Sequence, residues 1–206
     1  MKILRTFLPA VLAGICIGIG GTVYLSLENK IVGSILFAVG LYTICINGLN
    51  LFTGKVGYLV NNRPAYLLDL LLIWLGNLVG TALTAALLLC TRISLGNVLP
   101  TVEAMCQTKL ADGFLSLFIL GIFCGALMFI AVDGYKKVNN PLIMVFCVSV
   151  FILCGFEHCI ADMFYFTLAR VWSVDTLLRT VVITLGNAVG GMALPLLGIF
   201  MEKTKQ

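Results

Sequence analysis

Charge is scarce in this chain. Only 11% of its 206 residues are Asp, Glu, Lys or Arg, and it has one histidine. The basic residues come in ones and twos for a net charge of +4, which excludes the clustered basic stripe that nucleic acids require. The eight cysteines contain no C-x-x-C pair. Cys16, Cys45, Cys90, Cys124, Cys147 and Cys154 lie in or at the ends of apolar runs, where cysteine behaves as a small hydrophobe. A zinc site needs about four ligands, and Cys154 and Cys159 flank the one histidine without completing such a set. Neither a metal nor a disulfide framework is expected, and no other cofactor. H-E-x-x-H and G-x-S-x-G are also missing. An intramembrane enzyme acting through Cys159 or His158 would leave those residues without partners.

What fills the space is apolar. Hydrophobic residues make up 61% of the chain, and the mean hydropathy is +1.10. A soluble domain of this size cannot hide that much greasy surface, so the chain reads as an integral membrane protein. A span needs about 20 apolar residues to cross roughly 30 Å of hydrocarbon. Six stretches qualify: 7–27, 31–60, 67–90, 113–132, 141–169 and 178–200. The first has the basic start of a signal peptide, but its apolar run outlasts the roughly 7–15 residues of a signal core and reads as a retained span. "NNRPAY" at 61–66 and "DGYKKVNNP" at 133–141 read as turns. Only 91–112 is a longer connection, so a single membrane domain over 1–206 is expected.

Two spans, 31–60 and 141–169, would run to about 45 Å as continuous helices. Each carries polar matter near its middle, "NGLNLFTGK" (47–55) in one and "CGFEHCIAD" (154–162) in the other. A glycine-marked polar interruption in an overlong span suggests a broken helix lining a cavity. Matching interruptions in two halves are a pointer to a transport site. The halves echo each other again: "GNLVG" from Gly76 and "GNAVGG" from Gly186, 110 residues apart, each in the span after an interruption. The glycines alone mean close helix packing; their placement after the interruptions implies a repeat. Three spans followed by three spans make that repeat inverted, with halves at about 1–92 and 110–206. Six spans put both termini on one side. That side has Lys2, Arg5, Arg63, Lys136, Lys137, Lys203 and Lys205, against Lys30, Arg92, Lys109, Arg170 and Arg179 on the other. The bias places the termini in the cytoplasm.

Ionisable groups inside a membrane cost about 2.5–3.5 kcal/mol each on insertion scales. Glu157, His158, Asp162 and Lys55 are therefore candidates for function, against two plain alternatives: a structural salt bridge, or an interfacial loop. "GFEHCIADMF", "NLFTG", "GNLVG" and "GNAVGG" together resemble the formate/nitrite transporter family, over residues 7–200. The resemblance implies an all-α, aquaporin-like protomer of six transmembrane helices with the second and fifth broken. It also implies a homopentamer in the cell membrane, with a pore in each protomer for small monovalent anions such as formate, nitrite or hydrosulfide. By the same resemblance His158 is the pore histidine, preceded by Glu157; Thr53 is the hydroxyl facing it, and Lys109, five residues before Phe114, guards the mouth. Phe37, Leu41, Leu51, Phe52 and Phe151 match the apolar constrictions, though by themselves they read as core. Histidine, with an unperturbed pKa of about 6.5, is suited to exchanging a proton with a passing anion.

Two positions depart from the formate channel: Asp162 stands for an asparagine, and Lys55 for a small polar residue. Either the two compensate each other across the protomer or both line the cytoplasmic vestibule separately. Glu157 adjoins His158 and points elsewhere on a helix, so it is expected to hold the broken backbone or pair with a lysine. A neutral-solute channel of the same fold and a structural membrane subunit are the alternatives. Lys109 and His158 favour anions over neutral solutes, and a structural subunit leaves the mirrored interruptions without a purpose.

Overall fold

In the computed structural model the described residues run from 2 to 204, with the side chains of Lys2 and Leu95 outside the description. Lys205, counted above on the side of the termini, lies beyond it. The described residues form helices and no strand. They are α1 (Lys2–Ser26), α2 (Lys30–Ile46), α3 (Phe52–Lys55) running on as a 3-10 turn (Val56–Asn61), and α4 (Tyr66–Leu89). A π-helical turn (Ser94–Val98) leads into α5 (Leu99–Ala111); then come α6 (Phe114–Val138), α7 (Leu142–Leu153), α8 (Cys159–Leu168) and α9 (Val174–Lys203). By length and composition four of these, in α1, α4, α6 and α9, are apolar enough to cross a membrane.

The outside of the bundle is greasy. Leu8 and Leu12 of α1, Leu67 and Leu71 of α4, Phe123 of α6 and Leu185 of α9 are all exposed. Such a surface is stable only against lipid or other protein. The inside is held by close backbone contact. α1 packs along α4 and α2, and α6 packs along α9 and α7. A Cβ at Gly80 would strike the Val11 carbonyl, and one at Gly190 the Ile122 carbonyl. The helices meet where the repeated G-N-x-V-G motif has no side chain to hold them apart.

Two connections differ from the sequence expectation. The segment from Asp133 does not turn at once: α6 runs on to Val138 and stops at Asn139, which has a φ of 50°. The i,i+4 pair Lys137–Asp133, at 2.8 Å, favours that extra turn of helix. The connection 91–112 holds a helix of its own, α5, with Pro100 in its first turn and Lys109 in its last.

Candidate functional site

α2 and α7 end in the same way. Gly48 (φ +62°) and Gly155 (φ +69°) sit just past the helix ends in the left-handed region. Behind them Leu49 N–H donates to the Ile44 carbonyl at 2.9 Å, and Phe156 N–H to the Phe151 carbonyl at 2.9 Å. Both are Schellman closures, which satisfy the last carbonyls of a helix. The chain is then extended for a few residues, and α3 and α8 begin.

An asparagine from the following long helix braces each restart. Asn77 Oδ1 accepts from Phe52 N–H at 2.9 Å, while its Nδ2 donates to the Ala10 and Asn50 carbonyls at 2.8 and 2.9 Å. Asn187 Oδ1 accepts from Cys159 N–H at 2.9 Å, and its Nδ2 donates to the Gly121 and Glu157 carbonyls at 2.8 and 2.8 Å. Each amide thus satisfies two backbone groups that the interruption sets free, in an interior where water cannot, and ties the break to a carbonyl of a neighbouring helix, Ala10 of α1 or Gly121 of α6. In the sequence these asparagines stand only as letters of the repeated motif. The available signal was a buried amide recurring mid-span in an apolar helix.

The two restarts face each other through Thr53 and His158. Their Oγ1 and Nε2 are 2.9 Å apart, and both residues are buried. His158 is also the N-cap of α8: its Nδ1 accepts from Ala161 N–H at 3.1 Å. That bond fixes the tautomer. Nδ1 is the acceptor, so Nε2 carries the hydrogen and donates it to Thr53. An imidazolium would need a proton on Nδ1 and would forfeit the cap.

A cavity of about 250 Å³ opens beside His158, bounded also by Phe151, Glu157, Asp162, Lys109 and Tyr165. Gly54, next to Thr53 in the chain, and Leu51, two residues before it, line a smaller cavity of about 50 Å³ with Lys55 and Lys136. Phe151 stacks on His158 with ring centres 5.6 Å apart and meets Phe37 edge-on at 6.0 Å. Leu41 is fully buried. Phe52 turns away and borders an apolar groove with Leu67, Trp74 and Val181.

A sequence profile described as "Formate/nitrite transporter" matches residues 1–201. The chain belongs to that family. It is 26% identical to the formate channel FocA of Haemophilus influenzae, over 90% of this chain and 82% of that one. It is 29% identical to the formate channel FocA of Escherichia coli, over 78% of this chain and 65% of that channel. A solved structure titled as a pentameric formate channel with formate bound superposes with a TM-score of 0.84, at 26% identity, and covers 98% of both chains. These relatives are channels rather than enzymes, and this formate/nitrite transporter is likewise a multi-pass membrane protein.

Where this family member departs from the formate channel, the charges fall differently from expectation. Lys55 and Asp162 do not pair. Asp162 Oδ1 lies 2.9 Å from Lys109 Nζ, and the same ammonium donates to Glu157 Oε2. Lys55 lines the other cavity, where Lys136 is its charged neighbour. Asp162 is on the first turn of α8 and faces α5, whereas Lys55 ends α3 and faces α6, so the Thr53–His158 level separates them. Nor is Lys109 a free cation at a mouth: its side chain is 14% exposed and carries two carboxylates. Burial opposes its charge, but Asp162 and Glu157 more than offset that and hold its pKa above the ordinary lysine value. Arg179 fixes the end of its helix, donating from Nη1 to the Asp112 carbonyl at 2.5 Å and the Lys109 carbonyl at 3.3 Å. Phe114 packs under that guanidinium at 4.9 Å.

Proposed function

We propose that the chain is a channel for small monovalent anions of weak acids, formate or nitrite first among them, with hydrosulfide in the same class. The observation that carries this reading is the Thr53–His158 hydrogen bond, buried between a cavity lined by His158 and one lined by the neighbours of Thr53. An anion arriving there finds an Nε2–H and a hydroxyl that can donate without bringing charge of their own. Phe37, Leu41, Leu51 and Phe151 are the apolar collar in this reading, which excludes hydrated ions because a bare charge loses several kcal/mol on desolvation. Proton exchange at the imidazole itself would have to release the Ala161 cap. His158 is accordingly assigned as a hydrogen-bond donor.

The architecture that goes with this function is six crossings in one membrane domain over residues 1–206. Halves at about 1–92 and 110–206 run in opposite directions, and the crossings at α2–α3 and α7–α8 are interrupted. The paired glycine closures and asparagine braces support it, as does Trp74 Nε1–H donating to Thr184 Oγ1 at 3.1 Å. Those two positions stand 110 residues apart, as the two motifs do, and counterparts touch only near a two-fold axis. We place the protein in the cell membrane with cytoplasmic termini, as a homopentamer whose outer apolar faces meet lipid.

Reconstitution into lipid vesicles tests the function. Formate, nitrite and hydrosulfide should enter faster than into empty vesicles. His158→Ala should lower that flux roughly ten- to a hundredfold, the equivalent of about 1.5–3 kcal/mol for a lost hydrogen bond to a charged group. Wild-type vesicles no more permeable than empty ones refute the reading.

A further inference from the structure

Charge in the His158 cavity does not balance. Glu157 and Asp162 bring two carboxylates to the single ammonium of Lys109, and the imidazole is neutral because Nδ1 holds the Ala161 N–H. With both carboxylates ionised the cluster carries a net negative charge. Helix ends do not repair this. The N-terminus of α8 brings about half a positive charge to the break, and the C-terminus of α7 brings about half a negative charge to the same place. An anion entering a space of about 250 Å³ would meet a like charge there.

One atom shows where the balance is restored. Asp162 is 1% exposed, and its Oδ1 is taken by Lys109. Its Oδ2 is buried with no hydrogen-bond partner. A buried carboxylate oxygen without a donor loses its hydration and gains nothing in return. A carboxylic acid O–H there is neutral and has a hydrogen to give, and Asp162 lines the cavity.

We propose that the Glu157–Lys109–Asp162 cluster holds one proton, carried on Asp162 Oδ2, and that this O–H is the proton donor to the anion in the His158 cavity. This rests on the channel reading above. When formate arrives, the O–H bond at Asp162 Oδ2 breaks and one forms at a formate oxygen. Neutral formic acid then faces the apolar collar, and a carboxylate remains beside Lys109. No electron pair changes owner, and solvent in the cavity returns the proton. Lys109 is the positioning residue, since its ammonium fixes Oδ1 and leaves Oδ2 free.

Other titratable groups around Asp162 are accounted for. α5 brings Lys109 and Cys106, α1 brings Tyr24, and α8 itself brings Tyr165 and Cys159. Cys124 faces it from α6. Among the described residues no ion pair reaches Asp162 from α4 or α9.

Infrared spectroscopy of the wild-type protein in lipid at pH 7 tests the proton directly. A carboxylic acid C=O band is expected, shifted by carbonyl-13C labelling of aspartate and absent from Asp162→Asn. Absence of the band, failure of the label to move it, or its survival in the variant overturns the proposal. Vesicle flux supplies the second arm, with the leak of empty vesicles subtracted. Wild-type formate flux should rise with acidity by up to about tenfold per pH unit where the acid titrates. In Asp162→Asn it should change less than about twofold over the same range. A variant profile matching wild type, or a pH dependence that persists in Asp162→Asn and vanishes in His158→Asn, overturns the assignment. So does a wild-type flux that requires sodium, which would mean a cation balances the cluster. If vesicles carry no formate at all the channel reading fails, and the infrared band still decides where the proton sits.

Discussion

The two interruptions are built alike and equipped differently. Residues 49–51 and 156–158 each follow a left-handed glycine, and each stretch is tied down by an asparagine from the next long helix. Yet α3 is capped by Leu51, which offers no side-chain hydrogen bond, while α8 is capped by an imidazole with a carboxylate on either side. Backbone physics is the same at both breaks, because any broken helix frees the same N–H and C=O groups. The chemistry is free to diverge once those groups are satisfied. The comparison teaches that scaffold and function are separable here, and substitutions can test it.

The largest effects should come from the braces. Asn77→Leu and Asn187→Leu each strand two buried backbone groups at a break, at about 1–3 kcal/mol per group, and lose a bond to a neighbouring helix. Each variant should therefore lose most of its thermal stability in detergent. Under the comparison the two losses are similar. If Asn187→Leu unfolds the protein and Asn77→Leu does not, the two breaks do not share a scaffold.

Next come the contact glycines. Gly80→Ala and Gly190→Ala each drive a methyl into a carbonyl on the facing helix. Overpacking of this kind costs about 1–3 kcal/mol, measurable as a lower melting temperature in both variants. A harmless alanine at either position would show that its helix pair can slide apart, which a close-packed repeat cannot do.

His158→Asn separates the two layers at one residue. Asparagine is a good N-cap, so stability should fall by less than about 1 kcal/mol. Formate flux should still drop, because Nε2 is gone. Leu51→Asn is the converse at the other break: it offers α3 the side-chain cap it lacks but removes a fully buried leucine. That loss of about 2–5 kcal/mol exceeds the roughly 1 kcal/mol of a cap, so stability should fall further than in His158→Asn. Equal flux in wild type and His158→Asn would mean that the imidazole serves only as a cap.

How much of this was legible depends on which groups interact. Gly48, Gly155 and the polar residues beside them are visible in the sequence, since a membrane span tolerates polarity only where the backbone breaks or a cavity opens. The work of Asn77 and Asn187 is not visible, because their partners are backbone groups that every residue possesses. The charges misled for a related reason. Lys55 and Asp162 look complementary along the chain, but Lys109 reaches Asp162 from α5, a helix inside a segment that reads as a connection. Phe52 could not be told from Leu51 without coordinates. The chain is extended at Leu51 and helical from Phe52, so neighbouring side chains point to opposite sides, one to the cavity and one to the groove with Trp74.

The two turn glycines probe the comparison most cleanly. No atom lies within 4 Å of a Cβ built at Gly48 or Gly155. Alanine there costs only what an L residue loses in the left-handed region, about 1–2 kcal/mol, and asparagine costs less. Thermal unfolding should therefore rank wild type, asparagine and alanine in the same order at both sites and by the same steps. Flux need not follow. Gly155 borders the cavity with His158, Glu157 and Asp162, while Gly48 borders the smaller cavity with Lys55 and Lys136. A methyl at Gly48 enters the tighter space, so Gly48→Ala should slow formate more than Gly155→Ala for an equal loss of stability. Equal stability with unequal flux is what a shared scaffold carrying unlike chemistry requires. Unequal stability at these two positions would mean that the breaks differ in their backbones as well.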